Sequence, residues 1–174
     1  MFTSVILGAG KSTRMKANKS KLLFNIAGKP VINHILSSLK AAKAKHNICV
    51  INRSSAELKK ILEAEKISFA FQKILDGTAG AVKAALKSKK NSNSKILILC
   101  GDVPFITSNS IKKLVAKLKN HDAVVGTVEL ESPKGYGRIV RVNNKFSSIV
   151  EEKETTPDER QIREVNTGII AIQE

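Results

Sequence analysis

The sequence predicts an α/β fold with a mixed, mostly parallel sheet and helices on both faces of that sheet. Up to Glu129, short apolar segments alternate with amphipathic segments of helical spacing, and strands separated by helices form right-handed βαβ units. After Glu129, turn residues separate short apolar segments, which predicts hairpin connections. The chain has 174 residues, enough for a hydrophobic core, and residues 1–174 are expected to form one domain.

Each predicted element follows from a local pattern. After Pro30, apolar residues recur at helical spacing, and proline is favoured at a helix start. Thr107 or Ser108 is the expected N-cap of a later helix, and Asn143-Asn144 is the expected hairpin turn. The predicted helices begin at Pro30, Ser55, Thr78 and Ser108. The predicted strands are Thr3–Leu7, Asn47–Ile51, Ile67–Phe71, Lys95–Cys100, Asp122–Val128, Arg138–Val142, Phe146–Val150 and Val165–Ile172. The polar segment Glu151–Glu164 is expected to be a surface loop.

The charge balance suggests nucleic acid at first sight. There are 30 basic and 15 acidic residues, a formal charge of +15, and a basic surplus is the usual electrostatic footprint of a nucleic-acid binder. Lysine supplies 24 of the 30 basic residues, however, whereas arginine is preferred for bidentate recognition. Aromatic residues make up only 4% and tryptophan is absent, so bases have few side chains to stack on. A lysine-rich solvated surface is therefore favoured, and a basic nucleic-acid binder is the alternative.

The sequence also argues against a membrane or secreted protein. No apolar run approaches the length that crosses a bilayer, and the N-terminus lacks the basic region and cleavage site of a secretory signal. Cys49 and Cys100 both lie in apolar, strand-like segments. These positions favour two free thiols in a reducing cytoplasm over cysteines that form a disulfide framework.

The loop after the first strand, Leu7-Gly8-Ala9-Gly10-Lys11-Ser12-Thr13-Arg14, is rich in small and basic residues. It is not a P-loop, because the first required glycine is replaced by Val5, and it is not a GxGxxG fingerprint, because Thr13 replaces the third glycine. Small residues let backbone N–H groups approach phosphate oxygens, and Lys11, Arg14 and Lys21 add positive charge. The loop favours a triphosphate ligand, with a plain strand-to-helix turn as the alternative.

Several motifs carry a resemblance to a known family. In chain order these are LGAGKSTRM from Leu7, Lys21-Leu22-Leu23, Ile26-Ala27-Gly28-Lys29-Pro30, Phe71-Gln72, Asp76-Gly77-Thr78-Ala79, Cys100-Gly101-Asp102-Val103-Pro104, Gly135-Tyr136-Gly137-Arg138-Ile139, Ile149-Val150-Glu151-Glu152-Lys153 and Glu164-Val165-Asn166-Thr167-Gly168. In this order and spacing they resemble the uridyltransferase domain of the bacterial bifunctional N-acetylglucosamine-1-phosphate uridyltransferase/glucosamine-1-phosphate acetyltransferases, within the sugar nucleotidyltransferases. The likeness runs from about Val5 to Ile172.

The resemblance implies a Rossmann-like fold, the nucleotide-diphospho-sugar transferase fold, and a reaction. UTP and N-acetylglucosamine 1-phosphate would give UDP-N-acetylglucosamine and pyrophosphate, with Mg²⁺ as cofactor. A direct displacement of this kind needs positioning and charge neutralisation rather than a protein nucleophile. That agrees with the scattered positions of the histidines and cysteines, which are interpreted as structural.

The resemblance also implies three sets of site residues. The expected catalytic residues are Arg14, Lys21 and Asp102, with Asp102 as the Mg²⁺ ligand. The expected nucleotide contacts are Leu7, Gly8, Ala9, Gly10, Lys21, Gln72, Gly77, Thr78, Cys100 and Gly101, with the Gln72 amide on uracil. The expected sugar contacts are Gly137, Glu151 and Asn166.

The sequence departs from the family pattern at several points. Ser20 stands where proline usually precedes the lysine, which predicts a less rigid loop, and Leu75 stands where a polar base contact is expected. The family domain continues further, with a later asparagine at the metal site, and the β-helix acetyltransferase domain is absent from 1–174. The domain is therefore expected to be C-terminally incomplete, with apolar surface and a sheet edge exposed for self-association. A molybdenum-cofactor guanylyltransferase-like enzyme and a non-catalytic remnant are the alternatives.

Overall fold

The computed structural model describes residues 1–10, 19–52, 55–72, 77–87 and 95–173. They divide into two compact units, the first formed by Met1–Val124 with Ile170–Glu174 and the second by Val125–Ile169. A single domain over 1–174 stays a prediction.

The elements of the chain follow the predicted alternation. In order they are β1 (Phe2–Leu7), β2 (Asn25–Ile26), β3 (Lys29–Pro30), α1 (Val31–Ala41), β4 (His46–Ile51), α2 (Ala56–Ala64), β5 (Ser68–Phe71), α3 (Gly77–Lys87), β6 (Lys95–Cys100), α4 (Ser108–Lys117), β7 (Ala123–Glu129), β8 (Arg138–Val142), β9 (Lys145–Val150) and β10 (Glu164–Ile172). The short β2–β3 hairpin and the 3-10 helices Lys21–Leu23 and Glu159–Gln161 are additions to the prediction. No helix among these described residues is long and apolar enough to cross a membrane.

The sheet of the first unit is parallel in its central strands. The strand order is β5-β4-β1-β6, and each neighbouring pair in that series runs parallel. The end of β10 adds antiparallel to β6, with Ile170 opposite Ile98 and Ile172 opposite Ile96. The mixed, mostly parallel sheet predicted from the sequence is confirmed. Because parallel strands end at the same edge of a sheet, the loops after β1, β4, β5 and β6 gather there.

The central strands are buried on both faces. In β1 the consecutive side chains of Val5 and Ile6 are both fully buried, although they point to opposite faces. One face packs against α3 through Ala81 and Ala85. Continuous apolar runs of this kind belong to parallel strands that are covered on both sides.

Helix α4 begins as its sequence predicts. Thr107 is the N-cap, and its hydroxyl accepts a hydrogen bond from the Ser110 N–H at 3.1 Å. This bond satisfies one of the amide groups that a helix leaves unpaired at its start. Ile111 and Leu118, on the apolar side of this segment, are fully buried.

The second unit contains the predicted hairpin. Strand β8 pairs antiparallel with β9, and the turn residues Asn143 and Asn144 have φ angles of +50° and +61°. Two successive positive φ angles characterise the tight turns that favour asparagine. In the same unit β8 also pairs with β10, through Arg138 and Val165.

An apolar groove lies along α3 in the first unit. Its volume is about 730 Å³, and it is lined chiefly by Val82, Leu86, Ile98, Ile170 and Ile172. The expected exposure of apolar surface near the end of β10 stays a prediction. Self-association through this region stays a prediction.

Candidate functional site

The glycine loop after β1 is tied into the sheet at its start. The Gly8 N–H donates to the Val50 carbonyl at 2.8 Å, and the Gly101 N–H donates to the Leu7 carbonyl at 3.0 Å. These amides therefore hold the carboxyl ends of β4, β1 and β6 together. Beyond them Ala9 is buried and Gly10 is exposed, so Gly10 is the solvent-facing part of the described loop.

The absence of a side chain at Gly8 and Gly101 leaves room for Leu22, which lies against both glycines. A Cβ atom at Gly8 would lie 2.6 Å from Leu22 Cδ1, and one at Gly101 would lie 2.5 Å from Leu22 Cδ2. Leu22 is fully buried and directly follows Lys21. The two glycines thus make room for Leu22, which anchors the neighbouring Lys21. The sequence predicts only nucleotide contacts for these glycines and does not predict this packing role.

Lys21 and Asp102 form an ion pair at the carboxyl edge of the sheet. Lys21 Nζ donates to Asp102 Oδ2 at 2.6 Å, across 81 positions of sequence. The side chains are 27% and 55% exposed, so the pair faces solvent. The structure therefore brings together two of the three predicted catalytic residues.

The segment that carries Lys21 is held by Ser20. The Ser20 hydroxyl accepts a hydrogen bond from the Leu22 N–H at 3.4 Å, and its carbonyl accepts one from the Leu23 N–H at 3.0 Å. Ser20 is thus the N-cap of the 3-10 helix Lys21–Leu23. The hydroxyl acceptor is specific to serine, whereas the carbonyl acceptor would also be present in the usual proline.

Cys100 lies at the end of β6 beside the ion pair. Burial raises the pKa of its thiol, the Asp102 carboxylate raises it further, and the Lys21 ammonium lowers it. The thiol is therefore neutral at physiological pH. Cys49, which is fully buried in β4, has its pKa raised to about 12 by burial. The expected contact of Cys100 with the nucleotide stays a prediction.

Gln72 directly follows β5 and is hydrogen-bonded to the end of β4 and to the start of α3. Its backbone N–H donates to the Ile51 carbonyl at 3.1 Å, and its side-chain Nε2 donates to the Gly77 carbonyl at 3.0 Å. Gly77, with a φ of +89°, starts α3 in a conformation that other residues adopt only with strain. Gln72 is buried while Thr78 is exposed. The base contacts expected of these residues stay predictions.

The three expected sugar residues meet in the second unit. The Asn166 N–H donates to the Gly137 carbonyl at 2.9 Å, and a Cβ atom at Gly137 would lie 3.4 Å from Glu151 Oε1. Glu151 is exposed and Gly137 is buried. The Asn166 side chain accepts a hydrogen bond from the Gly168 N–H at 2.9 Å. A backbone carbonyl, a carboxylate and a side-chain amide are thus contributed by neighbouring residues, and each of these groups can hydrogen-bond a hydroxyl group.

Other predicted residues lie outside the described residues. They include Arg14, which is expected to be catalytic, its neighbour Lys11, and Leu75 and Asp76 in the expected base-binding segment. In the part of the chain that the structure describes, no three His, Cys, Asp or Glu side chains are grouped to hold a metal ion.

Sequence reasoning missed two residues that organise these loops. Asn52 follows β4, donates to the Ala9 carbonyl at 3.5 Å and accepts from the Ser55 hydroxyl at 2.7 Å. Its place directly after a buried parallel strand is a signal that could have found it. Leu22 belongs to the Lys21-Leu22-Leu23 motif, but the sequence gives no sign that its side chain lies against Gly8 and Gly101.

Comparison with known proteins places the fold and the family. Two bifunctional GlmU proteins are similar to this chain: that of Buchnera aphidicola subsp. Baizongia pistaciae is 36% identical over 97% of the chain and 37% of the relative, and that of Saccharophagus degradans is 37% identical over 99% of the chain and 38% of the relative. The chain thus spans less than half the length of these relatives.

Solved structures share the fold at low sequence identity. A putative glucose-1-phosphate thymidylyltransferase from Bacillus anthracis, solved with sucrose, has a TM-score of 0.82 at 21% identity, over 99% of this chain and 72% of that one. HddC from Yersinia pseudotuberculosis has a TM-score of 0.78 at 22% identity, over 99% of this chain and 77% of that one. Residues 4–152 match the family described as the MobA-like NTP transferase domain. The chain therefore belongs to the MobA-like NTP transferase domain family.

Proposed function

We propose that the chain transfers a uridylyl group from UTP to N-acetylglucosamine 1-phosphate, giving UDP-N-acetylglucosamine and pyrophosphate. Membership of a nucleotidyltransferase family and 36–37% identity to two GlmU proteins support transfer of a nucleotidyl group to a sugar phosphate. The order of the motifs from Leu7 to Gly168 supports the choice of uridine nucleotide and amino sugar.

The observation that carries the proposal is the pairing of Lys21 with Asp102 beside the loop after β1. In open α/β sheets, ligands bind outside the carboxyl ends of the strands, and this pair lies at the ends of two loops there. A triphosphate needs cations close to its oxygens, and a metal needs a carboxylate. The 2.6 Å contact provides one of each, in partly exposed positions.

The chain's own residues perform positioning and charge neutralisation. A phosphate oxygen of the sugar phosphate forms the new bond to the α-phosphorus of UTP, and the bond to the pyrophosphate oxygen breaks. The leaving pyrophosphate keeps the electron pair of that bond. Lys21 turns from Asp102 to the triphosphate and offsets the charge that grows on the leaving group. Gly137, Glu151 and Asn166 hold the sugar.

Asp102 fits the kind of carboxylate that holds Mg²⁺ beside a triphosphate. Mg²⁺ is commonly bound through one or two carboxylates together with substrate phosphates and water, and Asp102 is an exposed carboxylate two residues after the largely buried strand β6. When bound there, Mg²⁺ would neutralise phosphate charge and orient the triphosphate. Asp102 would then serve as the ligand of the ion, and Lys21 as the cation that contacts the triphosphate.

The test is pyrophosphate release by the purified chain, supplied with UTP, N-acetylglucosamine 1-phosphate and Mg²⁺. Turnover with UTP and little turnover with GTP is the expected result. Turnover with GTP alone would favour the guanylyltransferase alternative instead. A chain that binds neither nucleotide in calorimetry would contradict the proposed function.

A further inference from the structure

A charged side chain is buried in the second unit, next to the proposed sugar residues. Arg138 is the only buried charged residue among those the structure describes, with 2% of its surface exposed. It lies at the start of β8, opposite Val150 of β9 and Val165 of β10. An arginine is almost never fully buried unless it is paired, so its partners define what it does.

The partners of Arg138 tie down the turn formed by residues 135–137. Arg138 Nη1 donates to the Tyr136 carbonyl, and Arg138 Nη2 lies 2.9 Å from Glu152 Oε2. The same Glu152 oxygen accepts the Gly135 N–H at 2.9 Å. One carboxylate and one guanidinium therefore hold the turn at two of its three residues.

The turn held in this way carries part of the proposed sugar site. Gly137 lies between Tyr136 and Arg138 in the chain, and Glu151 directly precedes Glu152. A shift of the turn would move the Gly137 carbonyl away from the Asn166 N–H and would change the gap of 3.4 Å between a Cβ at Gly137 and Glu151.

Stability alone does not account for the burial of Arg138 against the partly exposed Glu152. Taking a guanidinium out of water is costly, and apolar residues of similar size are often as stable or more stable. Arg138 Nε also has no hydrogen-bond partner within the described part of the chain, which adds to the cost. A more exposed pair, Arg141 with Glu164 at 2.7 Å, shares strand β8 with Arg138.

We propose that Arg138 and Glu152 are positioning residues, which set the turn at residues 135–137 so that Gly137 and Glu151 receive the sugar phosphate. This inference rests on the proposed function, since it assigns the sugar phosphate to this cluster. The pair does not touch the reacting atoms; it acts through Gly137 and Glu151.

The experiment compares steady-state kinetics of variants of this pair with variants of the Arg141–Glu164 pair. Glu152→Ala is expected to raise the KM for N-acetylglucosamine 1-phosphate about tenfold, with the KM for UTP and kcat nearly unchanged. Glu152→Gln keeps an oxygen acceptor for the Gly135 N–H and should restore most of the affinity. Glu164→Ala removes an ion pair of the same composition from β10 and should leave all three constants unchanged.

A double variant separates positioning from folding. Arg138→Met with Glu152→Ala removes the buried charge together with its partner, so the chain should stay folded, yet the KM for the sugar phosphate should remain about tenfold raised. Wild-type KM in the folded double variant, or an equal rise in the Glu164→Ala variant, would overturn the inference.

If the wild-type chain gives no turnover, the proposed transfer fails, and calorimetric titration with N-acetylglucosamine 1-phosphate in the same variants tests the positioning role directly. About tenfold weaker binding in Glu152→Ala than in Glu164→Ala supports it. Equal binding in the two variants, or no binding by the wild type, overturns it.

Discussion

The two units each contain an ion pair near predicted site residues, and the pairs differ in exposure. In the first unit Lys21 and Asp102 are 27% and 55% exposed. In the second unit Arg138 is 2% exposed and its partner Glu152 is 33% exposed. The first pair joins two loops at a sheet edge, whereas the second is hydrogen-bonded to the backbone of the turn at residues 135–137.

The difference in exposure implies that the Lys21–Asp102 pair separates at a lower free-energy cost than the Arg138–Glu152 pair. An exposed ion pair contributes little stability, because water competes for both charges. Lys21 and Asp102 can therefore separate at small cost, as the proposed binding of a triphosphate and Mg²⁺ requires. A buried arginine that lost its partner would leave an uncompensated charge, so Arg138 and Glu152 should stay paired, as their proposed positioning role requires.

The largest expected effect comes from removing the carboxylate of the exchangeable pair. Asp102→Asn should lower turnover by about 100-fold or more, because preorganised charge at the reacting phosphate is lost. Pyrophosphate release measures it, and melting temperature should change little. Asp122→Asn, at an exposed aspartate of the same unit, is the matched control, and an equal loss there would show that the effect is not specific to the pair.

The lysine of the pair should govern nucleotide affinity. Lys21→Met should weaken UTP binding about 10- to 100-fold, the cost of losing a charge-assisted hydrogen bond. Calorimetry measures it against Lys19→Met. Lys19 is exposed, and its ammonium lies 4.7 Å from the centre of the Phe24 ring. Similar affinities in the two variants would remove Lys21 from the proposed site.

Disturbing the packing of Leu22, next to Lys21, should have a smaller effect, which is on the free energy of unfolding. Gly101→Ala should destabilise the fold by about 1–3 kcal/mol, because its Cβ would lie 2.9 Å from the Leu7 carbonyl oxygen and 2.5 Å from Leu22 Cδ2. Gly10→Ala meets nothing within 4 Å and should change stability by less than about 0.5 kcal/mol. Urea unfolding measures both, and equal stabilities would contradict the account of Leu22 as the anchor.

The Arg138–Glu152 pair should contribute to the loss of folding stability at acidic pH. Hydrogen bonds from the Gly135 N–H and from Arg138 lower the pKa of Glu152 below its ordinary value of 4.5. The stabilising contribution is therefore complete above about pH 4.5 and is lost as the pH falls through the lower pKa of the folded state. Melting temperatures from pH 3 to pH 6 (about the range of the glutamate titration) should fall less steeply for Glu152→Gln than for the wild type. Glu131→Gln, at an exposed glutamate, should follow the wild-type curve.

The fold was largely predictable because it depends on local patterns. Apolar periodicity located the strands and helices, and Asn143-Asn144 located the hairpin, since adjacent asparagines tolerate positive φ angles. The β2–β3 hairpin was missed because it is only two residues long on each side, too short for any periodic signal. Its turn at Ala27-Gly28 has positive φ at both residues.

The site was predictable only as residue types. Lys21 and Asp102 were named from motifs, but their 2.6 Å contact spans 81 positions and follows from sheet order, which local patterns do not determine. Arg138 illustrates the opposite limit: a charged residue in a strand is expected to face water, yet this one is buried. Only the pairing of β8 with β9 and β10 around it explains that burial.

The central claim is that the Lys21–Asp102 pair opens to receive a triphosphate with a metal. Calorimetric titration of UTP at increasing Mg²⁺ concentrations tests it most directly, in the wild type and in Asp102→Asn. The account predicts that UTP affinity rises with Mg²⁺ in the wild type and that this dependence is lost in Asp102→Asn. An affinity indifferent to Mg²⁺ in the wild type, or an unchanged Mg²⁺ dependence in Asp102→Asn, would contradict it.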